Sequence, residues 1–138
     1  MSEAVPLRDT SVQDIQLELL RRTSFNALDG ERVSASLLKH RNLWLAALLD
    51  RPGVPNSAEP GLLLTSGLIK LRDLRDNCWN ADTLFILTPT RQAADRLAQI
   101  AEEEEWGGEV HVYKDQAEID RALGTGGPEF GLLSVWWD

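Results

Sequence analysis

The sequence predicts an α/β fold: a small, mostly parallel three-stranded sheet, helices on both faces, and an N-terminal antiparallel helical hairpin. Three observations predict it. The C-terminal part alternates strand-like and helix-like segments, the pattern of a parallel sheet with helical crossovers. The segment 83–88, TLFILT, carries no charge and reads as a strand covered on both faces. The N-terminal third holds two stretches with apolar residues at helical spacing, joined by a short turn.

Residues 1–10 read as a flexible lead-in, and residues 11–138 as one domain. Ser11 is a helix cap with Asp14 three residues on, and Val12, Ile15, Leu19 and Thr23 then recur at helical spacing. NALDG (26–30) is a turn, after which Asp29 caps a second helix running to about Asp50. Val33, Leu37, Trp44 and Leu48 share a face of that helix, widened by Leu38, Leu45 and Leu49. The helical hairpin thus covers 11–50. The loop 51–61, with three of the six prolines, separates it from an α/β part spanning 62–138.

Within that part, 62–74 fits either a hairpin around Ser66-Gly67 or a short helix from about Leu68. The spacing of Leu68, Leu71 and Leu74 favours the helix. The 83–88 strand leads into a helix over 89–105 that WGG (106–108) ends. EVHVYK (109–114) alternates as a half-polar strand. Asp115 and Glu118 form a capping-box pattern for a helix over 116–123, and a last strand covers 132–137. The 83–88 strand is the most apolar and takes the centre, while the half-polar 109–114 strand suits an edge. The strand order is therefore second–first–third, 2-1-3.

Composition narrows function. The chain has 138 residues, 43% hydrophobic and 26% charged, with a formal net charge of −8. Polyanionic nucleic acid binds through cationic neutralisation, and the Lys and Arg residues here are scattered, which argues against DNA or RNA as partner. Cys78 is the only cysteine, so no intramolecular disulfide forms, in keeping with a reducing compartment. With only His40 and His111 as imidazoles, no metal-ligand spacing is present. The start of the chain has no signal-peptide core, and no apolar run reaches membrane-spanning length. The expectation is a cytoplasmic protein with no membrane association, no cofactor and no metal.

Four groups are candidates for chemistry. The turn TLFILTPTRQAAD (83–95) hands a strand to a helix at the C-terminal end of the sheet, where α/β folds bind ligands. Thr88, Thr90 and Arg91 there offer hydroxyls and a guanidinium beside a helix N-terminus. Against this, the turn has no glycine, Pro89 lacks an N–H, and the parallel last strand would bring the Asp138 end to the same edge. Thr88 reads more simply as the cap, with Pro89 at the first helical position. His40, within the apolar arc of the second helix, is a candidate base or pH switch, but no carboxylate lies near it in sequence. Glu102 to Glu105 are four consecutive carboxylates that diverge around a helix end and read as a solvated terminus. Among the five tryptophans, Trp136 and Trp137 are adjacent on a strand and so face opposite sides of the sheet.

The Gly-x-Ser-x-Gly elbow, the Walker loop, the dinucleotide glycine pattern and His-Glu-x-x-His are all absent from the sequence. The sequence therefore points away from an enzyme. It points to a protein-binding or accessory domain acting through an acidic, Trp-containing surface. Trp136, Trp137, His40 and Trp44 are the partner-binding candidates, and the partner is another protein or a second copy. Immunity- or antitoxin-type factors and homodimeric accessory proteins share this profile. The competing reading is a small-ligand or nucleotide-binding α/β domain with an anion site at 88–91.

Overall fold

A computed structural model describes residues 5–51, 68–126 and 129–138. Five α-helices occur among them: α1 (Val12–Arg22), α2 (Gly30–Lys39), α3 (Ile69–Arg75), α4 (Arg91–Glu103) and α5 (Gln116–Leu123). Four strands accompany them: β1 (Ala46–Asp50), β2 (Thr83–Thr88), β3 (Glu109–Val112) and β4 (Gly131–Trp136). The 51–61 loop, apart from Arg51, and the 62–67 part of the ambiguous segment lie outside the described residues. Residues 69–75 are helical, and 7–9 of the lead-in form a 3-10 turn.

The starts of α1 and α2 follow the predicted caps. The Ser11 hydroxyl accepts from the Asp14 N–H, and the Asp29 carboxylate accepts from the Arg32 N–H. Each satisfies a donor that a helix N-terminus leaves free. Packing of α2 on the end of α1 depends on Gly30. Its N–H donates to the Thr23 carbonyl at 3.0 Å, and a Cβ there would overlap the carbonyl oxygens of Leu20 and Thr23.

The sheet overturns the predicted topology. It has four strands in the order β1-β2-β4-β3, and every neighbouring pair is antiparallel, in place of a mostly parallel three-stranded sheet ordered 2-1-3. One cause lies in the predicted second helix. It stops at Lys39, and after a 3-10 turn at Arg41–Leu43 the chain becomes β1. The segment 43–50 is apolar at both helical and strand spacing, so period alone does not decide. As a strand it pairs the free edge of β2 and buries Ala47 and Leu49 while Leu48 points to the other face.

The other cause is β4. Leu133 and Val135 are fully buried, and the strand lies between β2 and β3 with both of its edges bonded. Because β2 and β3 each run antiparallel to β4, they run parallel to one another. The crossover through α4 is therefore present, but β4 has been inserted between its two strands. The half-polar β3 is an edge, as its alternation implies.

The core lies between one sheet face, here the inner face, and helices α1, α2 and α4. Leu84, Ile86, Leu133 and Val135 from the sheet meet Leu20, Val33, Leu37, Leu97 and Ile100 from the helices. Three tryptophans complete it, and each indole N–H has a partner. Trp44 donates to the Leu37 carbonyl at 2.8 Å, Trp137 to the Trp106 carbonyl at 2.8 Å, and Trp106 to the Ser36 hydroxyl at 2.9 Å. Buried indoles need such partners, since an unpaired N–H away from water costs free energy.

Gly30→Ala should lower stability by about 3 kcal/mol, because the overlap with two carbonyls outweighs the roughly 1 kcal/mol helix-propensity gain of alanine over glycine. Urea denaturation of the two proteins measures this. A neutral or stabilising substitution would mean that the α1–α2 approach is looser than described.

Candidate functional site

Strand alternation puts the other residues of the sheet on an outer face, away from α1, α2 and α4. The registers arrange them in rows across the strands. One row runs Asp50, Thr83, Trp136, Glu109; the next runs Leu48, Phe85, Ser134, His111. Ala46, Leu87 and Leu132 follow, with Tyr113 bonded to Leu132 through its N–H. Leu132 is buried, and the fully buried Ile119 of α5 lies outside the main core cluster. The middle of this face is more open: Leu48 is 44% exposed and Trp136 43% exposed. Exposed apolar residues also mark α3, where Leu68, Leu71 and Leu74 are each at least half exposed. Lys70 of the same helix pairs with Asp50, which holds α3 beside the end of β1.

Of the four partner-binding candidates, Trp136 alone presents an indole to solvent to this degree. Trp137 and Trp44 are buried and committed to the core hydrogen bonds above. His40 caps the C-terminus of α2 and is half-buried. Leu48 and Phe85 were not singled out from sequence. Phe85 is readable as an alternate position of the 83–88 strand, whereas the sequence places Leu48 on a helix face.

His40 does have a carboxylate partner, 64 residues away in sequence. Its Nε2 lies 2.6 Å from the Glu104 carboxylate, whose other oxygen accepts from the Ser36 hydroxyl at 2.8 Å. An ionised carboxylate only accepts, so Nε2 carries the proton of this bond. The bond from His40, followed by that from Ser36, holds the Glu104 carboxyl below its ordinary range. Glu104 is therefore not part of a uniformly solvated end. It closes a chain from Trp106 through Ser36 to His40 that ties the C-terminal ends of α2 and α4 together. Ser36 has its hydroxyl donating to Glu104 and accepting from Trp106, an arrangement of support rather than nucleophilic attack.

The turn at 88–91 borders a cleft of about 740 Å³ that also includes Asp95, Tyr113, Lys114 and Glu129. Thr90, not Thr88, caps α4, accepting from the Ala93 N–H at 3.1 Å. Thr88 is fully buried and its hydroxyl donates to the Thr90 carbonyl at 2.6 Å. Gly131 of β4 packs so closely here that a Cβ would meet Thr88 Oγ1 and the Thr90 carbonyl. The glycine that permits close backbone approach thus serves strand packing. Arg91 donates to the Lys114 carbonyl at 2.8 Å, and the Lys114 ammonium lies 3.2 Å from Asp95. Asp138 is not a neighbour of this turn. In the antiparallel pairing Trp136 lies opposite Thr83, at the far end of β2.

Cys78 is exposed. Among the described residues there is no grouping of His, Cys, Asp or Glu fit to hold a metal ion, and no helix is long and apolar enough to cross a membrane.

The lowered pKa of Glu104 fixes a sign. Its contribution to stability is fully present above the unfolded carboxylate value and is lost as pH falls through the lower folded value. Glu104→Gln should cost about 1–2 kcal/mol at neutral pH. Its unfolding free energy should also fall less steeply than wild type between neutral pH and about pH 3. Denaturation at a series of pH values checks both, and parallel curves would remove Glu104 from the account.

No protein-family model matches this sequence, and no curated protein or solved structure matches it.

Proposed function

We propose that this chain is a non-enzymatic, cytoplasmic protein-binding domain that docks through its outer sheet face. The observation that carries the reading is Trp136, an indole 43% exposed, on a chain whose three core indoles are almost fully buried. Leu48, at 44% exposure, and the half-buried Phe85 lie on the same face. Aromatic residues with apolar neighbours on an open surface are the usual anchors of protein interfaces. The residues named from sequence for catalysis or anion binding are already engaged with the protein itself.

The chain's charge bears on the partner. At −8, two copies meeting face to face repel, whereas a basic partner surface is attracted. A partner-neutralising role of immunity or antitoxin type fits this balance better than a homodimeric accessory role. The single, exposed cysteine accords with a reducing compartment.

Trp136→Lys tests the reading. An exposed position tolerates lysine, so stability should change by less than about 0.5 kcal/mol. Sedimentation and affinity capture are then compared with wild type and with Leu38→Lys, an exposed position on α2. The expected result is a partner-bound species that wild type and Leu38→Lys form and Trp136→Lys does not. A species retained equally by all three would overturn the outer face as the docking surface.

A further inference from the structure

The two edges of the sheet are treated differently. On β1, the residues facing outward are Ala47 and Leu49, because Ala46, Leu48 and Asp50 bond β2. Ala47 is covered: the Gln13 side chain donates to its carbonyl at 2.8 Å and accepts from its N–H at 2.8 Å. A side-chain amide thereby takes the place of a neighbouring strand. On β3, the Tyr113 N–H bonds the Leu132 carbonyl, so residues 109, 111 and 113 face β4 while Val110 and Val112 face outward. Among the described residues nothing bonds the outward N–H groups of Val110 and Val112. No proline, bulge or lysine within β3 blunts this edge, as protected edges usually are.

Beside that edge runs a groove of about 730 Å³ between β3 and α4. Its floor is Val110 and Val112 of the strand with Ala98 and Ala101 of the helix, where alanines leave room that larger side chains would fill. Glu102 and Glu105 line its rim, and Glu109 is exposed at the start of the strand. None of these three carboxylates has an ion-pair partner among the described residues. The nearby cations are committed elsewhere, Lys114 to Asp95 and Arg96 to Glu103.

We propose that the β3 edge binds an extended basic segment of a partner protein as a fifth strand. Backbone groups of the segment pair with Val110 and Val112. Alternate side chains enter the groove over Ala98 and Ala101, where lysine or arginine stems lie along the alanines and their charged ends reach Glu102 and Glu105. Strand addition takes affinity from main-chain hydrogen bonds and specificity from the alternate side chains, and this edge offers both. A second copy of the chain is a poor occupant, since it would bring two further carboxylates to the same rim and a net charge of −8. This surface is distinct from the Trp136 face, and either can fail without the other.

The probe is an alternating lysine–valine pentapeptide with blocked ends, titrated into the full chain labelled with nitrogen-15. The expected result is chemical-shift change and slowed exchange centred on the Val110 and Val112 amides. The same peptide N-methylated at alternate residues, and its glutamate–valine counterpart, should leave those amides unmoved. Paired substitution Glu102→Lys and Glu105→Lys, remote from the core, should weaken binding about tenfold. Trp136→Lys should leave it unchanged. Equal response to the basic and acidic peptides, undiminished binding of the N-methylated peptide, or shifts centred on Trp136 in place of β3 would each overturn the proposal.

Discussion

The fold depends on the indole hydrogen bonds at the junction of α2, α4 and β4. Trp137 continues the inner-face alternation of β4 and reaches the carbonyl of Trp106. Trp106 follows α4, with its backbone N–H on the Ala101 carbonyl and its indole on Ser36 of α2. Three elements distant in sequence thus meet through two polar bonds set in an apolar core. In such surroundings a missing partner costs more than a present one contributes, so the arrangement specifies position as well as adding stability. Gly30 and Gly131 serve the same end by letting backbone pack where a Cβ would intrude.

Among the described residues, that commitment of the inner face leaves the outer face and the β3 edge uncovered. Trp136 and Trp137 are chemically identical neighbours, yet the strand sends one into a hydrogen-bonded core and the other toward solvent. A similar asymmetry divides the edges. Gln13 satisfies the backbone of Ala47, while the outward groups of β3 stand beside a groove with acidic walls. Both features are what the proposed recognition role rests on.

Much of the local structure was legible in sequence. Ser11, Asp29 and Asp115 are caps because short polar side chains reach their own helix starts, a contact written within a few residues. The 83–88 strand and the 116–123 helix have the predicted bounds for the same reason. The sheet was not legible, because strand direction is set by which edges remain unpaired after the core forms. The apolar run 43–50 satisfies either period, and only the vacant edge of β2 makes it a strand. Likewise, the Glu104 partner of His40 follows from the packing of α2 against the end of α4 and leaves no trace in local spacing. Burial of Trp44 and Trp137 was open to the sequence only as one of two readings, since aromatic residues serve cores and interfaces alike.

Exchange of the indole N–H protons with solvent, followed residue by residue by NMR, tests the central claim most directly. Bonded and buried indoles open only with the structure around them, whereas an indole facing solvent exchanges freely. The account predicts slow exchange for Trp44, Trp106 and Trp137, at rates that track global unfolding, and fast exchange for Trp136. Trp106 or Trp137 exchanging as fast as Trp136 would contradict it.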